Sequence, residues 1–323
     1  MSKQIVVYGN YGHNNIGDEL FKVAFKNLFP DYIFTFTDNL TVELLKDKDA
    51  LFFGGGSFLN QSIAGYNLFD FMYIIDNIPI FYIGVGIETE IHADHYSLLD
   101  RAKLIAIRSE RNIRYRIANT QWSLIDIPDL AWLTKDKNVN YKSDKEKYSY
   151  KDSILILPNV SVMPNHSSPS WITSSWENFK NQFAQFLDQL VDDGFKPIFC
   201  PMSTNRIEHD NFASYQIVSM MKNKDEYFID HENVDECDIL WYINKFDYVI
   251  TQRFHGIVLS EMVNTKVLPI YHHDKLKVTG AIPYYECSKH KLLESFYSLK
   301  ESNISIDYSV FDRLKQKVED ILK

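Results

Sequence analysis

At 323 residues the chain is longer than one ordinary core organises, so two domains are expected. With 45% hydrophobic and 24% charged residues its composition is that of a folded soluble protein, which excludes disorder, and a formal charge of -9 excludes a general nucleic-acid binder, which needs a broad basic face. The three cysteines, Cys200, Cys237 and Cys287, have no CxxC spacing and form an odd set, which argues against a disulfide framework or a zinc ribbon and points to a reducing cytoplasm.

Met1-Ser2-Lys3-Gln4 leads straight into the first strand pattern, and no run of 18 apolar residues occurs, so the expected protein is cytoplasmic with at most peripheral membrane attachment. Apolar runs at 5–8, 33–36, 50–53, 80–83, 104–107 and 123–125 read as six strands, separated by helical patterns such as 18–28 and 92–101. Between 135 and 151 the composition turns to Lys, Asp, Asn, Tyr and Ser, which reads as a linker or solvated loop. The alternation then restarts with strands at 154–157, 197–200, 226–229, 248–250 and 267–270, and helices at 179–190, 212–221, 235–244 and 257–263. Strands alternating with helices predict an α/β protein with parallel sheets covered on both faces, here two Rossmann-like domains at 1–140 and 151–305. Tyr308, Phe311, Leu314, Val318 and Ile321 line one face of a final helix within 306–323, which needs a surface to cover.

Open α/β sheets bind ligands beyond the carboxyl ends of their strands, so the informative residues follow each run. Gly9 to Glu19, with Asn15, Gly17 and Asp18, forms a glycine-broken polar turn ending at a helix start, where backbone donors favour an anion or a sugar hydroxyl. Its spacing is not that of a dinucleotide fingerprint. Gly54, Gly55, Gly56 and Ser57 follow the third run, three glycines that allow a ligand or a backbone to come close, with Ser57 as the alternative helix cap. Gly84-Val85-Gly86 repeats the device, with Glu88 and Glu90 read as solvated, and Arg108 with Ser109 follows the fifth run. Arg108 is either a cleft residue or a structural ion-pair residue.

In the second half Asn159 follows the first run, and Ser203, Thr204 and Asn205 follow the next as neutral donors for phosphate or, equally, as an ordinary helix N-cap. Thr251-Gln252-Arg253-Phe254-His255-Gly256 then places a guanidinium and an imidazole at one strand end, an anion site with a proton carrier beside it. Lys275 follows the next strand end as a second cation. His92, His95, His209, His231 and His290 read as surface residues, and His272-His273-Asp274 lacks a third fixed ligand, so no metal site is expected. Trp171 and Trp176 near the loop 158–169, which holds His166, read as helix-packing residues, with a sugar face as the alternative.

The order of Gly17-Asp18-Glu19, Gly54-Gly55-Gly56-Ser57, Gly84-Val85-Gly86, Arg108-Ser109-Glu110, Arg253 to Gly256 and Asp274-Lys275 resembles the polysaccharide pyruvyl transferase family over nearly the whole chain. The resemblance implies a frame like that of two-Rossmann-domain (GT-B-like) glycosyltransferases, its domains facing across a cleft and its C-terminal helix crossing back to the first. It implies transfer of a pyruvyl unit from phosphoenolpyruvate to two hydroxyls of a sugar in a surface polysaccharide or its precursor, with phosphoenolpyruvate as donor substrate and neither cofactor nor metal. The resemblance is compatible with a nucleotide- or lipid-linked glycan acceptor and with a homo-oligomer. On this reading Arg253, Lys275 and Arg108 hold the donor, with Ser203, Asn205, Phe254 and Gly256. Asn15, Gly17, Gly54, Gly55, Gly56, Ser57 and Asn159 serve the acceptor. His255 leads as proton shuttle, with Asp18 and Glu19 as rival acid–base groups. The alternatives are a glycosyltransferase using a nucleotide sugar, with Glu261 as a weak ribose clamp, and a non-catalytic sugar-binding or scaffold protein.

Overall fold

The computed structural model describes the chain outside residues 1, 58, 60–72, 75, 87–90, 109–121, 137–140, 142–149, 161–169, 206–208, 224–227, 230–233, 237, 272–280 and 302–303. It divides into two compact units, one of Met1–Gly12, Gly17–Thr134 and Ser305–Lys323, the other of His13–Ile16 and Lys135–Ile304.

Among the described residues, unit 1 holds β1 (Gln4–Tyr8), β2 (Ile33–Thr37), β3 (Ala50–Gly54), β4 (Ile80–Val85), β5 (Leu104–Arg108) and β6 (Leu124–Ile127). They form one parallel sheet in the order β2-β1-β3-β4-β5-β6. Alternate residues of a strand point to opposite faces, and both faces are covered here. Val6, Leu51 and Ile80 lie in register on one face, above Leu98 and Leu99 of the helix Ala93–Arg101. Val7, Phe52 and Phe81 are the neighbouring residues in register. Phe25 of the helix Ile16–Leu28 and Phe29 just after it lie 6.1 and 6.0 Å from the Phe52 ring, tilted and edge-on, so the high aromatic content goes into the layer between helix and sheet.

The final helix, Ser309–Ile321, is part of unit 1 and buries Phe311, Leu314 and Val318. Its apolar stripe ends at Leu322, whereas Ile321, expected on that stripe, is 42% exposed. His95 corrects the surface reading of the histidines: it is fully buried, with Nδ1 3.2 Å from the Tyr82 hydroxyl and its ring edge-on to Phe53. A polar helix pattern hid it because its neighbours on that helix, Asp94 and Tyr96, are not core residues.

Among the described residues, unit 2 holds β7 (Ser153–Leu157), β8 (Lys196–Phe199), β9 (Phe228–Ile229), β10 (Tyr248–Thr251), β11 (Lys266–Tyr271) and β12 (Ile282–Pro283). Their parallel order is β12-β11-β10-β7-β8-β9. Strand β12 and the helix Lys289–Tyr297 lie beyond the expected elements, and the expected helix at 179–190 is part of Ser170–Asp192. Trp176 extends its stripe of Phe179, Phe183, Phe186, Leu187 and Leu190 into the core, as the packing reading of that residue had it. The Trp176 indole donates to Gln216 Oε1 at 3.1 Å. No helix among the described residues is long and apolar enough to cross a membrane.

Candidate functional site

In unit 2 the chain leaves β7 first toward β8 and β9, then returns to lay β10, β11 and β12 on the other side. The switch point therefore falls between the carboxyl ends of β7 and β10, where open α/β sheets place their ligands. Asn159 follows β7 there, and Gln252, Arg253 and His255 follow β10. The turn is fixed from within: the Arg253 amide donates to Thr251 Oγ1 at 3.0 Å, and the Gln252 amide to Leu157 O at 2.9 Å. Gly256 is required by packing, because a Cβ there would overlap Thr251 Oγ1 and sit 2.9 Å from Leu157 Cδ1. Its assigned place in a donor site is therefore accounted for by helix-to-strand contact.

Arg253 does not stand alone. Its Nε donates to Asp210 Oδ2 at 3.1 Å and its Nη2 to Asp210 Oδ1, a two-point fork. Asp210 is fully buried and accepts three further bonds, from the amides of Val160 (3.0 Å), Met202 (3.0 Å) and Ser203 (2.9 Å). One carboxylate thus ties the loops after β7 and β8 to the guanidinium after β10. The same hub holds the segment His13–Ile16, whose Asn15 bridges Ser203 and whose Ile16 amide donates to Met202 O at 2.9 Å. Asn159 donates its amide to Gln252 Oε1 at 3.2 Å and is buried within unit 2. His255, half-buried, is the second residue of the helix Phe254–Met262, its ring edge-on to Phe254 at 5.4 Å.

Near the end of that helix Glu261 is pushed up to about 7 by burial. Burial disfavours its charged form, so the folded protein carries no penalty below the unfolded value of 4.5, and the penalty grows as pH rises from there to about 7 and is fully present above it. Glu261→Gln is expected to match wild type in stability at pH 4 and to exceed it at pH 8 by about 1–2 kcal/mol, a figure reduced for the group's partial exposure. Urea denaturation at the two pH values measures this, and an equal gain at both would contradict it.

In unit 1 the corresponding switch point lies between β1 and β3, and the glycine-rich turns meet there. The Tyr11 hydroxyl donates to Gly54 O at 2.6 Å, and burial, then the charges of Asp18 and Glu19, raise its pKa well above the ordinary value. Asn10 donates to Asp18 Oδ2 at 2.9 Å, the Gly12 amide donates to Glu19 Oε1 at 2.7 Å, and Lys22 pairs with Glu19 Oε2. One oxygen of Glu19 thus serves the loop and the other a lysine of its own helix. Gly17 lies buried in the first turn of the helix.

Helix side chains occupy the room that Gly54 and Gly55 clear. A Cβ at Gly54 would overlap the Phe25 ring, and one at Gly55, where φ is +76°, would overlap Phe21. This corrects the reading of those two glycines as ligand clearance. Gly56 accepts the Gly86 amide at 2.9 Å. Gly55→Val is expected to lose about 1–2 kcal/mol to the positive φ and about 1–3 more to overpacking. A melting temperature equal to wild type would contradict this packing account.

Arg108 is likewise drawn inward. It is 5% exposed, and its Nη1 donates to Asp129 Oδ2 at 2.9 Å and its Nη2 to Ser57 Oγ at 2.5 Å. Asp129 also accepts the Ala131 amide at 2.8 Å. This is the geometry of a buried ion pair, as the structural reading of Arg108 had it, and it engages Ser57, assigned to an acceptor. Lys275, with His272, His273 and Asp274, lies outside the described residues, as do Ser109, Glu88, Glu90 and His166. Ser203 is fully buried, and Asn205 ends its loop among the described residues. Among the described residues no group of three or more His, Cys, Asp or Glu is placed to hold a metal ion.

Sequence reasoning missed Asp210 and Gln252. The available signals were an Asp heading a predicted helix after a strand end, and an amide side chain inside the Arg-x-His turn.

Solved structures match the fold over the whole chain at low identity. The S. aureus MnaA–UDP complex superimposes with TM-score 0.58 at 13% identity, covering 100% of this chain and 97% of that one. The Methanocaldococcus jannaschii UDP-GlcNAc 2-epimerase with UDP-GlcNAc and UDP gives 0.58 at 10%, covering 99% and 100%. The Neisseria meningitidis UDP-GlcNAc 2-epimerase bound to UDP-GlcNAc gives 0.54 at 11%, covering 99% and 94%. These likenesses establish a GT-B-like fold. No curated protein sequence matches the chain significantly. The family model described as polysaccharide pyruvyl transferase matches residues 10–274, which run from the turn after β1 through β11 and include the Asp210–Arg253 fork and His255, and the chain therefore belongs to the polysaccharide pyruvyl transferase family.

Proposed function

We propose that the protein transfers a pyruvyl group from phosphoenolpyruvate to two hydroxyls of one sugar, forming a ketal in a surface polysaccharide or its precursor. The observation that carries this reading is the Asp210–Arg253 fork at the switch point of unit 2, with His255 two residues further on at a helix start. A guanidinium oriented by a carboxylate binds an oxyanion in a fixed direction, and the helix start adds backbone donors.

The donor carries a phosphate and a carboxylate, which Arg253 and Lys275 take in this reading. Arg108, committed within unit 1, drops out of the donor set. A proton goes to the donor methylene carbon as one sugar hydroxyl adds to the adjacent carbon. The bond from that carbon to the phosphate oxygen then breaks, and the second hydroxyl closes the ketal. The two hydroxyl protons balance the new methyl hydrogen and the proton that leaves with phosphate. His255 serves as the shuttle, and Arg253 stabilises the departing phosphate. Asp18 and Glu19 are the carboxylate candidates on the acceptor side, which this reading assigns to unit 1. The reaction belongs in the cytoplasm, with a free, nucleotide-linked or lipid-linked acceptor.

A second reading, a nucleotide-sugar transferase, is favoured by one observation: the solved structures of like fold hold UDP or UDP-GlcNAc. A thermal-shift panel separates the two, since a ligand that binds only the folded state stabilises by about 2.7 kcal/mol at a hundredfold excess over Kd. Phosphoenolpyruvate is expected to raise the melting temperature where UDP-sugars do not. The reverse pattern would replace the first reading by the second.

A further inference from the structure

We infer that Gln252 is an oxyanion-recognition residue, its side-chain Nε2 donating to an oxygen of the same small anion that Arg253 binds. The inference rests on the reading of Arg253 as an anion-binding group.

Gln252 is 6% exposed. Its Oε1 accepts the Asn159 amide, and only the oxygen end of a carboxamide meets an N–H in this way, so the orientation of the group is set. The Nε2 end is buried and has no hydrogen-bond partner among the described residues. Folded proteins seldom leave a buried donor so, because water has been removed and nothing replaces it.

The location gives the orphan donor its meaning. Gln252 takes the amide of Asn159 and Asp210 takes the amide of Val160, two consecutive donors of one turn. The Gln252 carboxamide therefore lies beside the Asp210–Arg253 fork. Ser203 Oγ, in a fully buried residue whose own amide donates to Asp210, is a second buried atom without a partner among the described residues. Asn211 Oδ1 and Asn244 Oδ1, buried without partners among the described residues, are acceptors to which an anion offers nothing.

Asp210 and Arg253 offset one another in charge, so an incoming anion gains most from neutral donors that add no negative charge. An amide N–H and a hydroxyl supply that. Arg253, with 11% of its side chain exposed, is the part of the group open to solvent. The ligand class is a small oxyanion, either phosphate or carboxylate, and phosphoenolpyruvate offers both.

The test uses the full chain labelled with ¹⁵N-glutamine, with the Gln252 side-chain signal assigned by its loss in Gln252→Leu. Inorganic phosphate, pyruvate and phosphoenolpyruvate are titrated separately, with calorimetry in parallel. Phosphoenolpyruvate is expected to move the Gln252 signal, and the half-ligand that reproduces the shift identifies the group bound. Gln252→Leu also removes the acceptor of the Asn159 amide and is expected to melt lower, so affinity is read on the folded protein, where it is expected to bind phosphoenolpyruvate about ten- to a hundredfold more weakly; Gln252→Glu, which keeps that acceptor, is expected to bind more weakly still. Equal affinity in wild type and Gln252→Leu, or a signal unmoved by all three anions, overturns the inference. A moved signal without ketal formation on any acceptor would retain the anion site and remove the pyruvyl-transfer reading.

Discussion

Asp210→Ala is expected to destabilise unit 2 by about 3–5 kcal/mol, the cost of breaking a buried ion pair by removing one partner. Asp210 is fully buried and accepts from Arg253 twice and from three backbone amides, so alanine leaves a guanidinium and three N–H groups without their acceptor. Asp210→Asn keeps one acceptor oxygen but turns an NH₂ toward donors, and an intermediate loss is expected. Both variants should also bind phosphoenolpyruvate at least about tenfold more weakly, since an Arg253 without its fork has lost its direction. Urea denaturation with calorimetry on the folded fraction measures the two effects. A stable Asp210→Ala protein with wild-type donor affinity would show that the fork neither holds the loops nor aims the guanidinium.

His255→Gln is expected to lower turnover by about 10²–10⁴-fold while changing donor affinity by no more than a fewfold. Glutamine keeps a hydrogen-bond donor of similar reach but cannot carry a proton to carbon. His255 stands at the start of the helix that Arg253 heads, its ring held edge-on by Phe254, so the substitution leaves the fork and the turn in place. If His255 merely fixes Arg253, the variant weakens binding and spares turnover. Single-turnover kinetics beside calorimetry separates these outcomes. Wild-type turnover in the variant would pass the proton-carrying role to Asp18 or Glu19.

Most of the architecture was legible because buried parallel strands read as unbroken apolar runs, and their carboxyl ends announce where function sits. Ile282-Pro283 was not legible as a strand: two residues carry no period, and only Tyr271 and Ile270 beside them make the pairing. The Arg253–His255 turn was legible as a site, while its organiser was not. An Asp at the head of a helix is ordinary, and nothing local says that Asp210 meets Arg253 across 43 positions. Gly54 and Gly55 were misread because Phe21 and Phe25, which fill their space, belong to a helix some thirty residues earlier. Arg108 was open between two readings until Asp129, 21 residues on, was seen to hold it.

The central claim is tested most directly by incubating the purified protein with phosphoenolpyruvate and a panel of free, nucleotide-linked and lipid-linked sugars, reading acceptor mass and released phosphate together. One acceptor is expected to gain the mass of one pyruvate less one water, with one phosphate released per acceptor converted, and Arg253→Ala is expected to abolish both. Transfer of a sugar from a nucleotide donor, with phosphoenolpyruvate left intact across the whole panel, would contradict the account.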